Sequence, residues 1–263
     1  MIHYPPLETI DMFLTRFPIN RTRRATSRLL GSPYQMHAAI AGSFVPTEGT
    51  DSSSRILWRV DDDSDGTLFL YIVSELGPSL VGLDEQIGFP DLTPAWKTRD
   101  YGPFLQRLAE GQIWSFRLTA NPVRDVARNR SSKNEDAVGK RTGHVTVRQQ
   151  SSWLIGRAAY ANCPPPEIPE GLPSAQDSRS ARNGFEVVTD ESGGLQLSVS
   201  ERRVHHMKKR DQPKPITVST ARFDGVLRVT DADKLRHALT HGIGHARAFG
   251  CGLLTLAPLV ASS

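Results

Sequence analysis

RILWRVDDDSDGTLFLYIVSE, residues 55–75, decides how the fold is read. Arg55 to Val60 and Thr67 to Glu75 are rich in aromatic and branched residues, which suit a pleated, half-buried surface. Between them Asp61, Asp62, Asp63, Ser64, Asp65 and Gly66 make a polar, turn-forming run, so the segment predicts a hairpin. A calcium loop would need a second half ending in Glu, which is missing; the aspartates read as a solvated turn. Upstream, residues 10–19 predict a first strand ended by Pro18 and Asn20, and a basic segment with Arg21, Arg23, Arg24 and Arg28 follows. Ser32 then offers an N-cap and Pro33 a first helical residue for a helix over 33–44, with Met36, Ile40 and Phe44 as its apolar stripe. Downstream, residues 77–103 carry Pro78, Pro90, Pro94 and Pro103 and predict an irregular crossing with short helices at most, before a strand from Ile113 to Leu118.

This order of strand, helix, two strands, crossing and strand is that of a ferredoxin-like split βαβ unit. Residues 121–142 lose hydrophobicity and read as a linker. Past it, Val145 and Val147 predict a strand, and Ser152 starts a helix that must end by Pro164, Pro165 and Pro166. Strands follow at Phe185 to Val188 and Leu195 to Val199, then at Ile216 to Thr220 and Gly225 to Val229. Thr230 and Asp233 read as a capping box for a helix that Gly242 stops, and a closing strand lies within 250–258. The expectation is an α+β chain of two tandem ferredoxin-like βαββαβ domains, at 1–125 and 145–263, joined by a linker over 126–144.

Composition sets bounds on function. The 263 residues are 38% hydrophobic, enough for a core, and Lys+Arg 32 against Asp+Glu 28 leaves +4, too small an excess to identify a nucleic-acid binder by itself. Cys163 and Cys251 are too few for a disulfide framework or a thiolate zinc site and read as small apolar fillers. No apolar run approaches the roughly 18 residues of a membrane span, and a soluble, cytoplasmic protein is expected.

The stretch GIGHARAFGCG, 242–252, has the glycines of a dinucleotide fingerprint in the wrong setting, after a helix and before a strand. It offers backbone N–H groups unobstructed by side chains, including that of Gly244, with His245 and Arg247 nearby for a phosphate. Gly139, Lys140, Arg141 and Thr142 lack the upstream glycine of a Walker loop. No Gly-x-Ser-x-Gly elbow or His-Glu-x-x-His run occurs. His37 stands three residues after Tyr34, so one helix face holds two groups able to exchange protons; the same spacing equally fits a packed helix edge. Arg202, Arg203, Lys208, Lys209 and Arg210 form a basic block that is either a solvated hairpin or a ribbon for a nucleic-acid groove.

SPYQMH at 32–37, FRLTANP at 116–122, WLIGRAAYA at 153–161, FDGVLRVTD at 223–231 and the glycine-rich end together resemble the CRISPR-associated endoribonuclease CasE of type I-E systems. The resemblance runs in order through nearly the whole chain. It implies tandem RRM-like domains and a subunit of Cascade that binds the stem-loop of a CRISPR repeat transcript. It further implies cleavage without a metal or cofactor, leaving a 5′-hydroxyl and a 2′,3′-cyclic phosphate, with the product retained. His37 is then the catalytic imidazole and Tyr34 its companion. Lys208, Lys209 and Arg210, with Arg202 and Arg203, correspond to the basic hairpin; Arg24, Arg28, Lys140 and Arg141 are further RNA contacts. Residues 38–43 (AAIAGS) lack the basic residue that relatives carry after the histidine, and Ala246 and Arg247 stand where many show Gly and Lys. Arg247, or His245, is expected to supply the missing charge at Gly244's loop. The competing reading is a non-cleaving RNA-binding scaffold of the same fold.

Overall fold

The computed structural model describes residues 12–44, 55–63, 65–89, 91–125, 141–161, 163–164, 168–207 and 216–259. The chain forms two compact units, one of Met1–Ala109 with Arg236–Leu254, the other of Glu110–Leu235 with Thr255–Ser263.

In the first unit, β1 (Phe13–Ile19) leads into α1 (Arg24–Leu30) and α2 (Pro33–Ala41), then the antiparallel pair β2 (Leu57–Asp62) and β3 (Leu68–Ser74). After α3 (Val81–Ile87) comes β4 (Lys97–Asp100), followed by α4 (Gly102–Gln106). The sheet order is β2-β3-β1-β4: the hairpin's return strand pairs with β1, and β4 takes the other edge. This is the split βαβ arrangement, with β3 inserted between β1 and β2. Alternation along β1 and β3 sends Phe17, Ile19, Leu68, Leu70 and Ile72 into one core with Leu29, Met36, Ile40, Leu83 and Ile87 from the helices. Ser32 Oγ accepts from the Gln35 amide at 3.4 Å, as Ser-Pro predicted, and α2 ends at Gly42. The basic segment, read only as charge, contains α1, because Thr26 and Leu29 on one face are buried while Arg24 and Arg28 face solvent.

The second unit opens with β5 (Ile113–Ala120), the strand expected to close the first. A small ladder of β6 (Val123–Asp125) and β7 (Arg141–Gly143) precedes α5 (Val147–Ile155). Then come α6 (Arg179–Arg182), β8 (Phe185–Val187), β9 (Leu197–Met207), β10 (Ile216–Val229), α7 (Ala232–His241) and β11 (Leu254–Ala257). β10 pairs with β5 along one edge, and with β9 and β8 along the other; β11 lies outside β5. Last, first, third, second is again the ferredoxin-like order, so the fold class read from the sequence stands.

The grouping differs from limits at 125 and 145. β5 donates and accepts along β10, from Ala221↔Ala120 to Arg228↔Ile113, so it is the first strand of the second sheet and β4 fills its expected place. Of the expected linker, residues 141–144 fall within the second unit and 126–140 lie outside the described residues. Val147 begins a helix and not a strand: Thr146 Oγ1 accepts from the Gln149 amide while Gln149 Oε1 accepts from the Thr146 amide, a capping box that overrides the β-branched valines. At α7 the cap is Asp231, whose carboxylate accepts from the Lys234 amide at 3.0 Å, in place of Thr230 and Asp233. No helix among the described residues is long and apolar enough to cross a membrane.

Candidate functional site

α2 places Met36 and Ile40 inward, so the residues one step around the helix sit at its edge. His37 there is half-buried, and its Nδ1 is enclosed without a hydrogen-bond partner. Burial disfavours the imidazolium and lowers the His37 pKa below its ordinary value of 6.5. Tyr34, one turn earlier on the same face, is 50% exposed. Tyr34 and His37 thus share one edge of α2, the phenol accessible and the imidazole half-buried.

α2 packs against the one-turn 3-10 helix Arg247–Phe249 in the glycine-rich segment. That segment is fixed by contacts 194 residues apart in sequence. Arg59, buried in β2, grips Asp61 through two bonds of 2.7 Å and donates from Nη1 to the Leu253 carbonyl at 2.8 Å. The first aspartate of the hairpin run is therefore a buried ion-pair partner, outside the solvated turn. A Cβ at Gly250 would stand 2.9 Å from the Trp58 ring, and one at Gly242 2.8 Å from Leu57 Cδ2; both residues have φ of +77°. These two glycines let the loop press onto β2, a packing role that accounts for them without a phosphate. Gly244 also has a positive φ and His245 is exposed. Arg247 is half-buried, donates to the Gly242 carbonyl at 3.2 Å and keeps an enclosed Nε without a partner. Burial, with the nearby Arg55 charge, lowers its pKa.

The first unit thus gathers Tyr34, His37 and the Gly244–Arg247 loop. Arg24 and Arg28 are exposed on α1. Sequence reasoning missed Arg55, His237 and His241 here. The histidines are four apart on α7, a spacing that places both on one helix face. Their rings stack with centroids 3.9 Å apart, and Arg55 acts electrostatically on both and on Arg247.

In the second unit the expected hairpin is a long ribbon, β9 against β10 from Leu197↔Gly225 to Met207↔Ile216. Arg202 and Arg203 are exposed on it; Arg202 reaches the Val145 carbonyl at 3.1 Å and Arg203 lies 4.0 Å from Glu201. Lys208, Lys209, Arg210 and Lys140 lie outside the described residues, and Arg141 begins β7. A cleft of about 410 Å³ lined by Trp153, Tyr160, Leu172, Pro173 and Arg179 holds none of the residues expected to act in catalysis or RNA binding. No group of three or more acidic, His or Cys side chains placed to hold a metal occurs among the described residues.

Fold and surface define a tandem ferredoxin-like protein with an imidazole-bearing helix in one unit and a cationic ribbon in the other. The chain belongs to the family described as CRISPR associated protein, which matches residues 12–258. The CRISPR-associated endoribonuclease Cse3 of Thermus thermophilus is 27% identical over 258 residues, covering 94% of this chain and all of that one. The Cascade subunit CasE of Escherichia coli K12 is 29% identical over 149 residues, 55% of this chain and 57% of its own. Among solved structures, Thermus thermophilus Cse3 bound to an RNA representing a pre-cleavage complex matches with TM-score 0.65 and 25% identity over 94% of this chain and 100% of that one. Cas6e of Escherichia coli K-12 matches with TM-score 0.56 and 22% identity, over 94% of this chain and 100% of that one. The resemblance to CasE read from the sequence is borne out.

Proposed function

We propose that this chain is an endoribonuclease that binds the stem-loop of a CRISPR repeat transcript, cuts it without a metal, and keeps the product as a subunit of Cascade. The observation that carries the reading is the packing of the His37 helix against the Arg247 turn, which gives an imidazole and a guanidinium to one unit. The near-full-length likeness to an endoribonuclease of this family supports it.

In the proposed reaction the ribose 2′-oxygen loses its proton and attacks the adjacent phosphorus in line. The bond from phosphorus to the 5′-oxygen breaks, that oxygen gains a proton, and the products are a 2′,3′-cyclic phosphate and a 5′-hydroxyl. His37, held neutral by burial, suits the proton acceptor's part. Tyr34 orients the hydroxyl or the phosphate, and Arg247 with His245 offsets charge gathering on the phosphorane, in place of the basic residue missing from 38–43. Stem affinity comes from the ribbon, Arg202 and Arg203 leading to Lys208, Lys209 and Arg210, since A-form RNA is recognised by shape and backbone phosphate. Arg24, Arg28, Lys140 and Arg141 add backbone contacts.

A non-cleaving RNA-binding scaffold is the second reading, favoured by the same missing base at 38–43. Incubating the protein with repeat RNA in EDTA decides between them. Cleavage that persists in EDTA, disappears with a 2′-deoxyribose at the cut and disappears in His37→Ala is expected. Binding without any cut would select the scaffold.

A further inference from the structure

The proposed reaction gives no part to WLIGRAAYA, 153–161, yet both aromatic residues of that run, Trp153 and Tyr160, line the cleft of the second unit. Its walls are fixed by direct contacts. Trp153 stacks on Phe223 with ring centroids 5.8 Å apart, and Arg179 holds its guanidinium carbon 4.3 Å from the indole centroid. The Arg157 amide donates to the Pro173 carbonyl at 2.9 Å, which ties the wall around Glu170 and Pro173 to the aromatic run. A Cβ at Gly156, where φ is +60°, would stand 2.5 Å from that carbonyl oxygen, so only glycine lets the two segments close. Polar side chains complete the lining: His144, Gln149, Ser152, Glu170 and Arg179. The Gln149 carboxamide is oriented, because its Oε1 accepts from the Val145 and Thr146 amides and Nε2 is its donor end. Ser152 Oγ donates to the Gln149 carbonyl at 2.8 Å and so presents its lone pairs. Among the described residues, the enclosed Trp153 Nε1 has no hydrogen-bond partner.

We infer that this cleft is a pocket for one unpaired nucleobase of the RNA. The assignment of RNA as the source rests on the function proposed above; the pocket itself rests on its lining. The Glu170 carboxylate disfavours a phosphate, and the polar side chains disfavour a purely aliphatic group. A base carries N–H donors and carbonyl or ring-nitrogen acceptors around a flat apolar ring. Gln149 and Arg179 supply donors for it, Glu170 and Ser152 supply acceptors, and Arg179 adds a guanidinium of the kind on which unstacked bases lie. The volume falls in the range of small-ligand pockets, about 300–1,000 Å³. The cleft is also joined to the ribbon. His144 lines it, and the next residue, Val145, gives its carbonyl to Arg202 of β9 at 3.1 Å. Base edges are hidden in an A-form stem and identity is read at unpaired positions, so recognition divides: the ribbon reads shape and charge, and the cleft reads a base.

The test uses the full chain and repeat stem-loop RNAs in which each unpaired nucleotide in turn is made abasic. Wild type should lose roughly five- to hundredfold in affinity at one unpaired position, the range for loss of a single stacked base. That penalty should vanish in Arg179→Gln. Glu170 is exposed, so Glu170→Gln spares the core and should shrink the penalty too; it decides alone if Arg179→Gln melts early. Loss of the penalty in either variant bears the pocket out. A penalty unchanged in every variant that melts as wild type does would overturn the inference. A scan that is flat at every unpaired position, with binding intact, would overturn it as well and leave the cleft to a protein segment. If wild type fails to bind the RNA, the proposed function falls and free nucleosides decide alone. Adenosine, guanosine, cytidine and uridine are then added at millimolar concentration while the Trp153 indole 15N–1H signal is followed. Movement with any of them keeps the pocket, and a signal that stays still with all ends it.

Discussion

α2 and α5 occupy the same place in two copies of one topology, each crossing from the first strand of its sheet to the second. Their surfaces have opposite fates. α2 buries Pro33, Met36 and Ile40 and leaves Tyr34 exposed and His37 at the boundary. α5 buries Gln150, Ser152, Trp153, Leu154 and Ile155 in its last two turns. Trp153 there stacks on Phe223 at 5.8 Å, and the Arg179 guanidinium covers the ring at 4.3 Å. The two hairpins diverge as well: β2-β3 turns through aspartates, whereas β9 carries exposed Arg202 and Arg203. Topology repeats, and chemistry does not. What makes one helix a site is which faces its neighbours leave open.

The largest test exchanges the roles of the two helices. His37→Ala should cut the cleavage rate by about 10²- to 10⁴-fold, the range for loss of a proton-transfer group, with RNA affinity and melting temperature close to wild type. Trp153→Ala should do the reverse and cost roughly 3–5 kcal/mol of stability in denaturant titrations, the usual range for emptying a buried aromatic site. A His37→Ala protein that melts early, or a Trp153→Ala protein that melts normally, would erase the distinction. Next in size is the contrast between hairpins. Arg202→Gln with Arg203→Gln should reduce the salt slope of RNA binding by about two, while Asp63→Asn leaves it unchanged.

The smallest effect is in acid. His37, His237 and His241 all have folded-state values below 6.5, His241 at about 4, so the unfolded chain takes up protons first as pH falls. Stability from these groups is complete above about pH 6.5 and declines from there to about pH 4. Thermal melts at pH 7, 6, 5 and 4.5 should show that decline, and it should shrink in His241→Asn.

Features carried by local chemistry were legible in the sequence. The hairpin at 55–75 follows from its strand composition and turn residues, and α2 from Ser32 and Pro33. Long-range choices were hidden. Nothing in IWSFRL says that residues 113–118 pair with a strand a hundred positions later and not with Phe13–Ile19. Val145 and Val147 favour extended backbone by type, but a capping box with Gln149 outweighs them. At the site, Tyr34 and His37 could be found by helical spacing, and the same rule applied to His237 and His241 would have found the stacked pair. Arg55 could not be found that way, because its relation to α7 exists only in the folded unit.

Arg59 reaches from β2 to the carbonyl of Leu253, and the unit that holds His37 also holds Arg236–Leu254. Translation therefore delivers the imidazole long before its arginine neighbour. A nascent chain halted before residue 236 carries α2 without Arg247, His237 or His241.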